Sequence, residues 1–273
     1  MQARWIFAVA AGLWLTATVR DFGDGWIAAT VLPPLALETS VEVLDRSGTL
    51  LRAYTVADGR WRLAVDRAAV DPAYIAMLLA FEDKRFADHG GVDLQAMARA
   101  VAQAVWNGRI VSGGSTLTMQ VARLLEESGT GKVSGKLRQI RVALALERRL
   151  TKDQILQLYL LLAPYGGNLE GVRAATLSYF GKEPRRLTPA EVALLVAIPQ
   201  SPETRRPDRH PDAAKAARAR VLDRAIGAGI IDADQGRAAL QNPFPICAAL
   251  SPRLPRIWPT APWPRHPRRA RTV

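Results

Sequence analysis

Cysteine is almost missing from this chain: Cys247 is the only one among 273 residues. A disulfide within the chain and a cysteine-based zinc cluster are thereby excluded, and thiol content says nothing about compartment. Long apolar runs are also scarce. The uncharged stretch from Trp5 to Val19, WIFAVAAGLWLTATV, is fifteen residues long, short of the ~20 that a bilayer-spanning helix needs. Acidic residues are outnumbered, 25 against 37 Lys and Arg, for a net charge of +12. That balance suits nucleic acid, an anionic membrane surface or a phosphorylated substrate. No arginine-rich reading helix, finger spacing or aromatic RNA-binding signature accompanies it, so nucleic acid is not expected as a partner. What is present, 49% apolar and 23% charged residues, describes an ordinary globular core of one large domain or two modest ones.

Three regions follow from the pattern. Arg4 and Arg20 flank the apolar run and would snorkel to its two interfaces, and no small-residue cleavage site follows it directly. Residues 1–40 are therefore expected to form an uncleaved transmembrane anchor and a linker; the basic residues balance across the run and do not orient it. Residues 41–242 are expected to form one domain. It opens with β-prone runs around Asp45, Arg46, Ser47 and Gly48, a small hairpin joined by the alternating Trp61, Leu63 and Val65, and is helical almost to Leu240. Residues 243–273 combine proline, arginine and tryptophan without periodicity and are read as a tail that builds no packed domain.

The stretch from Glu82 to Gly91, EDKRFADHGG, concentrates the chemistry. Asp71 and Pro72 start a helix whose apolar stripe is Ile75, Leu78 and Leu79, and Glu82 falls on that stripe. Phe81 and Phe86 exclude water and Asp83 adds like charge, the setting of a proton acceptor. The bland alternative is a helix end where Glu82 forms a salt bridge beside Lys84 and Arg85. Further on, Gly113 and Gly114 precede Ser115, an N-cap candidate. The helix that follows carries Leu117, Val121, Leu124 and Leu125 on one face and Thr116, Gln120 and Arg123 on another. With the free amides of the helix start, this face would suit an anionic, oxygen-rich ligand. The alternative is a plain turn before a capped helix. A second helix, with Asp93 as N-cap, groups Leu94, Met97, Ala98, Val101 and Val105 on one face. Glu126 to Gly135 reads as a mobile polar loop, and Lys136, Arg138 and Arg141 then start a basic helix. Thr151 with Gln154 and Thr188 with Glu191 mark two capping boxes.

Glu82, Asp83, Phe86, His89 and Gly91 fit EDxxFxxHxG, and Gly113 to Gln120 reads GGSTLTMQ. On these motifs, with SGKLRQ and APYGG, the chain from about Val41 to about Asn242 resembles the peptidoglycan glycosyltransferases of glycosyltransferase family 51. The resemblance implies a mainly α, lysozyme-like helical domain with a small N-terminal β hairpin and an N-terminal transmembrane helix. It also implies an enzyme of the bacterial plasma membrane, single-pass, with its domain on the outer side. That enzyme polymerises lipid II into β-1,4 glycan with release of undecaprenyl pyrophosphate. Its implied partners are lipid II, the growing glycan chain, the membrane and other cell-wall synthesis proteins.

The implied roles are specific. Glu82 is the base, supported by Asp83. Phe86, His89, Gly113, Gly114, Ser115, Thr116, Thr118 and Gln120 shape or position the substrate, and Arg123, Lys136 and Arg138 hold the pyrophosphate. For His89 a structural tie is expected rather than proton transfer. Trp106 and Ile110 would border a lobe that dips into the membrane, or belong to the core. Two departures stand out. In the family's RKxxE motif Lys136 matches, but Gly135 replaces the arginine and Gln139 the catalytic glutamate, and Leu161 stands where an asparagine is usual. Gln139 hydrogen-bonds but carries no charge and holds a divalent ion weakly. No resident cofactor is therefore assigned, and Mg or Mn enters only as a companion of the pyrophosphate. The SxxK, SxN and KTG motifs of a transpeptidase are absent, so penicillin binding is not expected. Two rival readings stay open: a lytic enzyme of lysozyme type acting on existing glycan, and a basic, membrane-anchored, lipid-binding scaffold without activity.

Overall fold

The computed structural model describes residues 2–108, 113–126 and 133–242, with side chains from residue 11 onward and, in the third stretch, from residue 134. Ile110, most of the expected loop after Glu126, and the tail from residue 243 lie outside the described residues. Among those described, the chain is mainly helical with two small sheets. Helix α1 (Gln2–Ala28) leads into strands β1 (Glu42–Leu44) and β2 (Leu50–Ala53), then β3 (Trp61–Arg62). Helices α2 (Pro72–Glu82), α3 (Leu94–Asn107), α4 (Leu117–Leu125), α5 (Val133–Glu147) and α6 (Lys152–Leu162) follow. Strand β4 (Leu169–Glu170) precedes α7 (Val172–Phe180), α8 (Pro189–Ala197), α9 (Pro211–Gly227) and α10 (Ala233–Gln241).

The hairpin forms where the turn residues place it. β1 and β2 pair antiparallel, Glu42 opposite Ala53, and Asp45 closes the turn by accepting from the Ser47 and Thr49 amides at 2.7 and 2.9 Å. Trp61 does not extend this hairpin. β3 pairs in parallel with β4, more than a hundred residues away, and Arg62 rather than Trp61 is buried, bonded through Nε to Glu170 Oε2 at 2.7 Å. An arginine with a carboxylate partner can occupy an inward position that alternation assigns to an apolar side chain.

The middle of the fold is α8. Its sequence PAEVALLVA is apolar all round, the mark of a helix enclosed on every side, and every residue from Ala190 to Ala197 is buried. α2, α9 and α10 pack against it, while α4 packs on α5 and α6. Truncating Leu194 or Leu195, at 1% and 0% exposure, to alanine costs about 2–5 kcal/mol by cavity formation. Both expected capping boxes form, at Thr151 with Gln154 and Thr188 with Glu191, and Asp71 and Asp93 cap α2 and α3.

Two helices present apolar side chains to the surface. The face of α3 that groups Leu94, Val101 and Val105 is exposed, and Trp106 is 90% exposed, so this stripe is not core. α1 likewise exposes Leu13, Trp14, Leu15, Val19 and Phe22. Among the described residues, no helix is long and apolar enough to cross a membrane. The last turns of α1 are fastened to α5 and to the turn after it: Arg141 Nε donates to the Trp26 carbonyl at 3.0 Å and to Thr30 Oγ1 at 2.9 Å, and Arg148 pairs with Asp24.

Candidate active site

Glu82 is the last residue of α2, and its carboxylate is held from two sides. Gln120 Nε2, on α4, donates to Oε2 at 2.7 Å; Gln200 Nε2, in the turn after α8, donates to Oε1 at 2.8 Å. Among the described residues Glu82 makes no ion pair, which sets aside the salt-bridged helix end. Each carboxylate oxygen keeps a lone pair free, so the group can still accept a proton from a ligand.

Asp83 does something else. It is buried, and its carboxylate accepts from His89 Nε2 at 2.9 Å and from the Leu117 amide at 2.9 Å. The Gly91 amide donates to His89 Nδ1 at 3.2 Å, so the ring hydrogen belongs on Nε2, facing Asp83. His89 thus ties the turn through both ring nitrogens. Gly91 completes the knot: its carbonyl accepts from Thr116 Oγ1 at 2.6 Å, its φ is +98°, and a Cβ there would lie 2.9 Å from the Ala143 carbonyl oxygen. Phe86 is buried beneath, edge-on to His89, with the Lys152 ammonium 4.6 Å from its ring centre.

This knot corrects two sequence expectations. Thr116, not Ser115, caps α4, because its Oγ1 accepts from Met119 N at 3.1 Å. The amide of Leu117, at the helix start, is already taken by Asp83, whose negative charge occupies the place foreseen for a ligand anion. Thr116 is consequently turned inward, and of the expected polar face only Gln120 and Arg123 reach the site.

The cations come together from two helices. Lys136 Nζ donates to Ser115 Oγ at 2.5 Å, and the Lys136 ammonium is held below its ordinary range by burial and by the nearby Arg123 guanidinium. Arg123 lines a cleft of about 500 Å³ together with Gln200, with Pro164 and Gly167 from between α6 and β4, with Leu169 of β4, and with Leu37, Leu124 and Leu162. The cleft lining thus combines apolar side chains with the cations Arg60, Arg62 and Arg123 and the carboxylate of Glu170. Burial pushes the Tyr159 phenol well above its ordinary range; Glu82 raises it and Arg123 lowers it, so both charges lie within electrostatic reach of this one buried hydroxyl.

The other expected residues divide cleanly. Gln139 is buried, on the α5 face of Val142, Ala143 and Leu146 that also carries Lys136. Arg138 points elsewhere and pairs with Glu126, Nε to Oε1 at 2.8 Å. Thr118 is buried and donates to Glu147 Oε1 at 2.6 Å, part of a junction with Lys152. Gly114 is packed so that a Cβ would meet Met97 at 3.1 Å, whereas Gly113 has open space. Sequence reasoning missed Gln200 and Arg205. The available signal was one amide directly after the buried run VALLVAIP, too slight without the fold. Among the described residues no group of three His, Cys, Asp or Glu side chains could hold a metal ion, and Gln139 offers a neutral amide.

The sequence matches the transglycosylase family over residues 47–226. It is 40% identical over 248 residues to penicillin-binding protein 1C of Escherichia coli (strain K12), covering 89% of this chain and 32% of that protein. It is 35% identical over 209 residues to penicillin-binding protein 1A of Pseudomonas aeruginosa, covering 76% of this chain and 25% of that one. The chain thus spans a third or less of the length of these relatives. Among solved structures, penicillin-binding protein 1A from Haemophilus influenzae aligns with 20% identity and a TM-score of 0.43, over 76% of this chain and 21% of that one.

Proposed function

The chain belongs to the transglycosylase family, and from that premise we propose that it is a peptidoglycan glycosyltransferase that polymerises lipid II. The observation that carries this reading is the site itself: the Glu82 carboxylate, held by two amides and free of ion pairs among the described residues, beside a cleft that Arg123 lines, with Lys136 close to Arg123.

The chemistry follows from those parts. The acceptor's 4-hydroxyl attacks the anomeric carbon of the growing chain's end sugar, and Glu82 takes the hydroxyl proton as the new C–O bond forms. The bond from that carbon to the diphosphate oxygen breaks, its electron pair leaving with undecaprenyl pyrophosphate. One displacement inverts an α-linked donor to a β-1,4 product. Charge accumulates on the diphosphate, where Arg123 and Lys136 stabilise it. Gln120 orients the base, and Gln139 contributes hydrogen bonding without charge. The proton passes from Glu82 to solvent between turnovers. Mg or Mn would enter as a companion of the diphosphate, adding positive charge to that of Arg123 and Lys136.

The exposed apolar residues of α1 and of α3, Trp106 above all, support placement at a membrane surface, where a lipid-linked substrate resides. An N-terminal anchor around Trp5–Val19 and an outer-face location are part of the same proposal. Radiolabelled lipid II and purified murein, each incubated with the chain, test it. Polymer from lipid II with intact murein is expected; muropeptides released from murein without polymer would establish the lytic alternative instead.

A further inference from the structure

Glu82 is gripped by two amides, and only Gln120 belongs to a motif on which the family likeness rests. Gln200 lies outside all of them. An amide can present either end to a carboxylate, and its oxygen would repel where its nitrogen bonds. Here the choice is made by Arg205, whose Nη1 donates to Gln200 Oε1 at 3.0 Å and to the Ala197 carbonyl at 2.8 Å. With Oε1 so engaged, Nε2 faces Glu82 at 2.8 Å. We propose that Gln200 is a positioning residue for the base Glu82, and that Arg205, itself anchored to the carbonyl at the end of α8, sets its orientation. The inference rests on the reading of Glu82 as the base.

The arrangement has a chemical purpose. A guanidinium bonded directly to a carboxylate favours its charged form and weakens it as a proton acceptor. Interposing a neutral amide keeps the positional restraint and moves the cation one side chain away. The other groups around Glu82 are consistent with this division. α4 presents Gln120 and Arg123, α2 and α6 present the buried phenols Tyr74 and Tyr159, and α9 presents Arg220, which after burial is the second cause lowering the Arg205 guanidinium's affinity for its proton, and Arg224, which donates to the Phe81 carbonyl at 3.0 Å. Asp83 and His89 are bonded to each other. None of these is hydrogen-bonded to the Glu82 carboxylate except Gln120.

Steady-state polymerisation of lipid II by the full chain, measured as pH–rate profiles, tests the proposal on Gln200→Ala, Gln200→Glu, Arg205→Ala and the Gln200→Ala/Arg205→Ala pair, with Glu82→Gln as the inactive reference. Loss of positioning predicts kcat about 10²-fold lower for Gln200→Ala, with KM for lipid II within about twofold. The pair should be no worse than Gln200→Ala alone, since both changes remove one device. A carboxylate at 200 places like charge against the base and should move the acid limb of the profile up by about one pH unit or more. A merely structural role would lower the melting temperature and leave that limb in place. Unchanged kcat in Gln200→Ala, an unmoved limb in Gln200→Glu, or additive losses in the pair would each overturn the inference while Glu82 stays the base. An inactive parent chain would overturn the functional reading and this inference with it.

Discussion

At the scale of single residues, charge decides what the site can do. Lys136 is partly buried beside Arg123, and its ammonium is held below the ordinary lysine value for those two reasons, burial first. A depressed lysine opposes folding while it is charged: the cost is full below its folded value and lifts as the pH rises through that value towards the unfolded one. An anion shared by Arg123 and Lys136 reverses the effect. Inorganic pyrophosphate is therefore expected to raise the melting temperature at neutral pH. At a hundred times its Kd it would add about 2.7 kcal/mol, or roughly 5–10 °C for a domain of this size. The gain should shrink at alkaline pH as Lys136 loses its proton, and vanish in Lys136→Met. An equal shift in that variant, read by differential scanning fluorimetry, would remove Lys136 from the clamp. Gln139 is the other residue of note, since a neutral amide stands where the family's catalytic carboxylate is expected. Gln139→Glu in the same polymerisation assay should raise kcat, and an unchanged kcat would show that this position is without influence here.

At the scale of elements, the site depends on a loop tied to a helix start. Asp83, His89, Gly91, Thr116 and the Leu117 amide form one knot between the end of α2 and the beginning of α4. Gly91 is its least replaceable member, because its φ of +98° and its 2.9 Å Cβ distance to the Ala143 carbonyl both exclude a side chain. Gly91→Ala is expected to cost about 1–3 kcal/mol, measured by urea unfolding, and to depress polymerisation with it; a stability loss under 0.5 kcal/mol would mean that the loop yields easily. Much of this was legible beforehand. Helical periodicity and caps gave α2, α3, α6 and α8, and EDxxFxxHxG marked the loop. The cap of α4 was misplaced by one residue, since Ser115 and Thr116 are equally good caps locally and only the bond from Thr116 to Gly91 separates them. The parallel pairing of β3 with β4 joins segments more than a hundred residues apart, and no local pattern reports such a partner.

At the scale of the whole molecule, the proposed reaction asks the cleft, the cations and the exposed apolar surfaces to serve one amphiphilic substrate. α1 is fastened to α5 by Arg141 and to the turn after it by Arg148, and α5 carries Lys136 and Gln139, so the N-terminal helix is joined to the element that bears these site residues. The exposed stripe of α3 was legible as an amphipathic face, but its direction was not. Periodicity states which residues share a side, and only packing states whether that side meets core or solvent. If α3 meets lipid, Val105→Ser with Trp106→Ser should weaken partitioning into anionic vesicles at least about tenfold, given about 1.5–3 kcal/mol for each large apolar side chain withdrawn from water; unchanged cosedimentation would assign the stripe another role. Gln200 shows the same limit at the site: its contact with Glu82 spans 118 positions of sequence.

The central claim is that Glu82 is the base of a displacement at a lipid diphosphate. Its most direct test is single-turnover polymerisation of labelled lipid II by the parent chain and by Glu82→Gln, with lipid II binding and melting temperature measured on the same samples. General-base loss predicts a rate lower by about 10²–10⁴-fold with binding and stability unchanged. Polymer formed by Glu82→Gln at the parent rate would contradict the account.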